Sequence, residues 1–197
     1  MICKNCSVES TYPGRIIKIT GKHWEIRCAD CGNPIRIERY YRMNSEYHRE
    51  KIKRWDTYFH SICVSVSSKS SCLSRKIGAI LVREKVIIAT GFNGPPRGYP
   101  HCITCIRKEK KFKSGEGLHL CPATHAEGNC IASAARIGSR VSGSTLYLNC
   151  IIPCKDCMAL IINAGIVEVV VDKIEPYHEM SLLMAKEANL KIREFII

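Results

Sequence analysis

No run of 18 apolar residues occurs in this sequence; its richest stretch, 158–171, is interrupted by Asn163, Gly165 and Glu168, so no membrane-spanning helix is expected. Residues 1–10 also lack the apolar segment of a secretory signal, because Lys4, Glu9 and two cysteines fall within them. A cytoplasmic location is the resulting expectation. Low-complexity tracts and internal repeats are missing, and 46% hydrophobic residues in a chain of 197 are enough to bury a core, which excludes intrinsic disorder. Acidic residues are scarce, 18 against 30 basic ones for a formal charge of +12. Such a surface suits an anionic partner, either a nucleotide or a nucleic acid.

Cysteine, by contrast, is abundant. Thirteen is an odd number, and without an export signal disulfide pairing is not the default, so metal ligation becomes the leading explanation. Residues 1–44 read as a small module of their own, with strand-like alternation over 17–19, 24–27 and 35–40. Within it Cys3 and Cys6, then Cys28 and Cys31, have the spacing of the two knuckles of a zinc ribbon. A module this small buries little, so a structural zinc would supply its folding free energy.

The remainder, 45–197, reads as one domain. Trp55, Tyr58, Phe59, Ile62, Cys63 and Val66 recur at spacings of three and four and predict the buried face of a helix that starts near Ser45. A hairpin of strands 76–83 and 85–92 follows, then a long connection from Asn93 to Thr124 of the length that usually carries function. Helix 125–137, strand 145–149, helix 154–164, strand 166–172, helix 179–188 and strand 190–196 complete the pattern. It predicts a layered α/β domain with a mixed sheet.

The chemistry concentrates in His125-Ala126-Glu127 and in Pro153-Cys154-Lys155-Asp156-Cys157. One imidazole and two thiolates leave the fourth tetrahedral position of zinc open to water, as in catalytic rather than structural sites, and zinc lowers the pKa of such a water to ~7. Both segments should begin helices, where free N–H groups favour thiolates, and the i, i+3 spacing of Cys154 and Cys157 puts both sulfurs on one face. With His125 at the very start of its helix, Glu127 comes close to the water without ligating. The H-x-E and P-C-x-x-C pair is the signature of zinc nucleobase deaminases, in which water attacks the carbon bearing the exocyclic amine and the glutamate shuttles protons.

Further blocks carry a closer resemblance: Trp55 to Phe59, Cys72 to Ile80, Ala89 to Gly98, Cys121 to Asn129, Thr145 to Tyr147, and Pro153 to Cys157 with Asn163 to Ile166. Across roughly 50–197 the chain resembles the deoxycytidylate (dCMP) deaminase family of the cytidine deaminase superfamily. The resemblance implies a three-layer α/β/α domain with a five-stranded mixed sheet, behind the ribbon of 1–44. It implies zinc-dependent hydrolysis of dCMP to dUMP and ammonia, with Glu127 catalytic, and a homo-oligomer activated by dCTP and inhibited by dTTP. It further implies Asn93, Ala126 and Tyr177 as substrate contacts, though Asn93 equally suits an ordinary turn and Tyr177 the core. Phe92 stands where the family usually has Tyr, and Gly128-Asn129-Cys130 also departs from the usual pattern beside the pocket.

By the same resemblance Cys72, Cys102, Cys105 and Cys121 would hold a second structural zinc, with His101 or His119 able to replace one cysteine. Cys63, Cys130 and Cys150 then read as small core residues. Arg97 and the run 107–113 are candidates for phosphate attraction, the alternative for the run being a solvated loop. The charge of +12 and the ribbon carry a second reading, a deaminase acting on a base in RNA or single-stranded DNA, with the basic segment 36–55 as its track, the alternative for that segment being a basic linker and helix face.

Overall fold

The computed structural model describes residues 16–18, 24–26, 37–113, 116–176 and 178–197, with side chains from residue 46 onward. The chain divides into two compact units, 1–52 and 53–197. In the first, strands β1 (Ile16–Lys18) and β2 (Trp24–Ile26) pair antiparallel. The four cysteines of the expected ribbon lie outside the described residues. Residues 37–40, expected as a strand, instead open helix α1 (Ile37–Ser67). Ile35 and Ile37 alternate, but Ile37, Tyr40 and Tyr41 recur at the spacing of a helix, which runs unbroken into the periodic segment that begins near Ser45.

The second unit is built on a five-stranded sheet of β3 (Gly78–Arg83), β4 (Val86–Phe92), β5 (Thr145–Leu148), β6 (Glu168–Val171) and β7 (Lys191–Glu194), in the order β4-β3-β5-β6-β7. Strand β3 runs antiparallel to β4 and β5, whereas β5, β6 and β7 are parallel. Parallel neighbours need crossover helices, and α4 (Lys155–Asn163) and α5 (Glu179–Glu187) provide them. Helix α3 (Ala126–Arg136) lies between β4 and β5 in the chain, and a one-turn helix, α2 (Ile106–Glu109), interrupts the long connection before it. The β3–β4 hairpin turns through Glu84 and Lys85, at φ 52° and 65°, the left-handed pair that matches strand twist.

Alternate strand residues separate two cores, as the two-residue period requires. Ala79, Leu81, Leu146, Leu148, Val169 and Val171 pack with Ala126, Cys130 and Ala134 of α3, Met158 and Ile161 of α4 and Ala185 of α5. On the opposite face Ile80, Val82, Tyr147 and Val170 meet Phe59 and Cys63 of α1. The result is the expected three-layer arrangement, with α1 on one face and α3, α4 and α5 on the other. An ion network joins its outer elements: Asp56, 1% exposed, accepts both terminal nitrogens of Arg193 at 2.6 and 3.0 Å and the Ile196 N–H at 2.9 Å. Arg193 Nε also reaches Glu168 at 3.0 Å. Buried charge of this kind is tolerable only when paired in this way.

Two glycines set the spacing of the layers. A Cβ on Gly78 would lie 2.1 Å from the Cys63 carbonyl oxygen of α1, and one on Gly91 would lie 2.3 Å from the Cys130 nitrogen and 2.6 Å from the Ala126 carbonyl oxygen of α3. The contacted atoms are helix backbone, which cannot swing aside as a side chain can. Gly91→Ala is therefore expected to destabilise the domain by about 2–3 kcal/mol, seen as a loss of roughly 5–10 °C in melting temperature. An unchanged melting temperature would mean that α3 is not seated directly on β4.

Candidate active site

His125 and Cys154 occupy equivalent places. Each is the residue before a helix, extended at φ −70°, ψ 157° for His125 and φ −64°, ψ 165° for Cys154, and neither side chain caps its own helix. Ser, Thr, Asp or Asn at such a position is worth about 1 kcal/mol, so both helices forgo that stabilisation and leave their first N–H groups without a side-chain cap. The surrendered caps mark a site whose residues answer to function rather than stability. Pro153 keeps the chain extended ahead of α4, and Cys157 follows one turn into it.

The two helix starts bring three donors together. His125 Nδ1 lies 3.5 Å from Cys154 Sγ and 3.4 Å from Cys157 Sγ, and all three donor atoms fall within 4.8 Å of one another. Tetrahedral zinc with ordinary Zn–N and Zn–S bonds separates its nitrogen and sulfur ligands by about 3.6 Å. The donor set and its spacing therefore fit zinc. Among the described residues it is the one group of three or more His, Cys, Asp or Glu so arranged. The Cys154 thiol is pushed down to about 4, first by the hydrogen bond from Cys157 and then by that from His125, while the shared proton and burial push Cys157 up. Hydrogen bonding to Cys154 also raises His125.

Glu127, in the first turn of α3, is buried at 5% exposure and lines the same cavity as His125 and Cys154. Burial holds its carboxyl above the usual carboxylate range, with the nearby His125 pulling it back. A carboxyl so placed can serve as both proton acceptor and proton donor. The cavity measures about 380 Å³, within the size range of small-molecule sites.

The other expected site residues are placed differently. Asn93 lines the cavity, yet its Oδ1 accepts from Ser70 Oγ and the Ile77 N–H, each at 2.8 Å, and its Nδ2 donates to the Arg75 carbonyl at 2.8 Å. Three of the four bonding positions of its amide thus hold segment 70–77 in place, and one N–H remains for a ligand. The Ala126 side chain packs in the core. Tyr177 lies outside the described residues.

Cys72, Cys102, Cys105 and Cys121 all line a second, small cavity of about 40 Å³, and no histidine does. No three of their sulfurs come within 4.8 Å of one another, and His101 is engaged with Ser71 Oγ at 3.1 Å. Cys63 and Cys130 are core residues, as expected. Cys150 is only partly so, because it packs beside the core and also lines the active-site cavity with Ile151 and Ile152. The sequence offers no signal for these last three. Arg97 is exposed and lies outside the cavity wall.

Comparison with known proteins agrees with this geometry. Residues 53–173 match the family model described as the cytidine and deoxycytidylate deaminase zinc-binding region. The deoxycytidylate deaminase of Saccharomyces cerevisiae is 35% identical over 142 residues, 72% of this chain and 45% of its own. That of Mycobacterium phage D29 is 36% identical over 124 residues, 60% of this chain and 94% of its own. The chain thus spans about half the length of the yeast relative. In fold it is similar to the dCMP deaminase of cyanophage S-TIM5 in complex with dCMP and dUMP, with a TM-score of 0.58 at 24% identity over 70% of this chain and 94% of that one.

The buried position of Glu127 generates a direct test. Glu127→Gln preserves shape but cannot carry a proton, so catalysed deamination should fall at least about 100-fold while elemental analysis shows the zinc retained. Activity within tenfold of the parent would remove Glu127 from proton transfer.

Proposed function

The chain belongs to the cytidine and deoxycytidylate deaminase family, and from that premise we propose that it hydrolyses dCMP to dUMP and ammonia. The observation that carries the reading is the convergence of His125, Cys154 and Cys157, with His125 and Cys154 lining one cavity together with the buried Glu127. Relatives named deoxycytidylate deaminase in yeast and phage support the nucleotide as substrate.

His125 Nδ1 and the sulfurs of Cys154 and Cys157 would hold zinc, which supplies a Lewis acid able to make water nucleophilic at neutral pH. Glu127 accepts the proton of the attacking water. It delivers that proton to the ring nitrogen, then takes the remaining proton of the added hydroxyl and passes it to the exocyclic amine, which leaves as ammonia as the carbonyl forms, so one water is consumed for one ammonia released. Burial raises its proton affinity toward what both transfers need. Apolar walls at Ile77, Ile151 and Ile152 exclude competing water from the base, and Asn93 keeps one N–H for the sugar.

Two structural zincs belong to the same proposal. Cys72, Cys102, Cys105 and Cys121 surround one small cavity, and binding there would draw their sulfurs together and fasten the 93–124 connection. Residues 1–44, with Cys3, Cys6, Cys28 and Cys31, are proposed as a zinc ribbon preceding the deaminase domain of 45–197. A cytoplasmic homo-oligomer answering to dCTP and dTTP completes the reading on family grounds. Metal analysis of the full chain should then return about three zinc ions, and a value near one would withdraw both structural sites.

The decisive experiment offers the zinc-loaded full chain dCMP, CMP, deoxycytidine and a cytosine-containing single strand, and measures ammonia released. Turnover of dCMP well above the others is expected. Turnover of the strand alone would overturn the reading and make the protein a nucleic-acid deaminase.

A further inference from the structure

Between the end of β5 and the start of α4 the chain runs from Asn149 to Cys154 outside any strand or helix, and Cys150 to Cys154 all line the active-site cavity. This one segment is both cavity wall and carrier of a zinc donor, so how firmly it is held bears on the chemistry. The bonds that hold it are few. Asn149 is tied to Gly78, its Oδ1 accepting the Gly78 N–H at 2.7 Å and its own N–H donating to the Gly78 carbonyl at 3.3 Å. On the other side the Cys150 carbonyl accepts the Asp172 N–H at 2.9 Å, and Ile151 bridges Lys173 in parallel register. Pro153 has no N–H to add. Asp172, the first residue after β6, is thus where the pairing of that strand passes to the cavity wall.

The Asp172 side chain is anchored in turn from α1. Its Oδ1 accepts from His60 Nε2 at 2.9 Å, across 112 residues of sequence, and the His60 ring stands edge-on to Phe195, just beyond β7, with centroids 4.8 Å apart. The pair therefore joins α1 and the C-terminal segment to the carboxyl ends of the parallel strands, outside which α/β sheets bind their ligands. Burial pushes the Cys150 thiol well above its ordinary range, and the carboxylates of Glu127 and Asp172 add to it, so both carboxylates lie within electrostatic reach of one wall residue. His60 and Asp172 keep 26% and 41% of their side chains exposed, and a pair so exposed adds little to stability. Its significance lies in what it is fastened to.

We infer that His60 and Asp172 are positioning residues for the deamination, holding the backbone of Asp172 against the Cys150 carbonyl and so setting the wall of 150–152 that leads into Cys154. Neither residue lines the cavity, and both act through the Cys150 carbonyl. A reacting group displaced by a fraction of an ångström loses rate even when binding is unchanged, which is the cost of leaving this segment slack. The inference rests on the deaminase reading and adds to it two residues that touch neither substrate nor zinc donors.

Its test compares the zinc-loaded full chain with His60→Ala, Asp172→Ala, the double variant and Asp172→Asn, and with Glu175→Ala, which breaks the neighbouring Lys173–Glu175 pair outside the wall. kcat and KM for dCMP, melting temperature, and hydrogen exchange of the amides of 149–154 by mass spectrometry are measured for each. Breaking the pair from either side should lower kcat about 5- to 20-fold with KM held within about twofold, and the melting temperature should move by no more than about 2 °C. The double variant should be no worse than either single one, because all three remove the same contact. Exchange over 149–154 should quicken at least about threefold in those variants. Asp172→Asn, whose amide oxygen still accepts from His60, should recover most of kcat, and Glu175→Ala should match the parent. A kcat within twofold of the parent in both alanine variants overturns the inference, as does a loss of kcat that Asp172→Asn does not recover. If the parent released no ammonia from dCMP, the reaction would fall by itself; quickened exchange in both alanine variants would then uphold the grip of the pair on the wall, and unchanged exchange would overturn it.

Discussion

Everything at the active site depends on how closely α3 can approach the sheet. Gly91 offers no side chain, so the first turn of the helix rests on strand backbone, with the Ala126 carbonyl and the Cys130 nitrogen inside the space a Cβ would fill. That contact fixes the height of His125 above the sheet. Cys154 and Cys157 are fixed separately, by the crossover from β5 to α4. Three donors from two independently seated helices meet at about 3.5 Å because both seats are rigid. Interiors packed to crystal-like density transmit such constraints instead of absorbing them.

The electrostatics follow from the same placement. Hydrogen bonds from Cys157 and then from His125 favour thiolate at Cys154, which also stands at the N-terminus of α4, the positive end of that helix. Glu127 lies one residue beyond the α3 start, close enough to serve the chemistry and buried enough that its proton affinity is raised. Opposite pressures on neighbouring groups are how one fold provides both acid and base at a single pH.

What could be read in the sequence was whatever depends on short spacing. The metal donors were legible because a helix start and an i, i+3 pair are local facts, and the two hairpin strands were legible from their Ile and Val content. Element ends shifted by a residue or two, as they do when hydrogen bonding decides them. The start of α1 was not legible, since Ile35 and Ile37 alternate as in a strand just where the helical spacing of Ile37, Tyr40 and Tyr41 begins. Nor was most of the cavity wall. Ile151, Ile152 and Phe112 meet only because the long connection is closed at its base, where Gly94 and Thr124 exchange backbone hydrogen bonds at 3.1 and 2.9 Å. The internal bonding of the Asn93 amide was likewise hidden, because its partners Ser70, Arg75 and Ile77 lie 16 to 23 residues away in sequence.

The network around Asp56 bears on how the protein is made. Its carboxylate needs Arg193 and the Ile196 N–H, 137 and 140 residues further along, so α1 leaves the ribosome long before the charge it must bury has a partner. A helix docked early would carry an unpaired ion into an apolar layer, at a cost of several kcal/mol. The domain therefore cannot complete its fold progressively from the N-terminus during synthesis, as a chain of local contacts could. A nascent chain interrupted before Arg193 holds Asp56 without its partner.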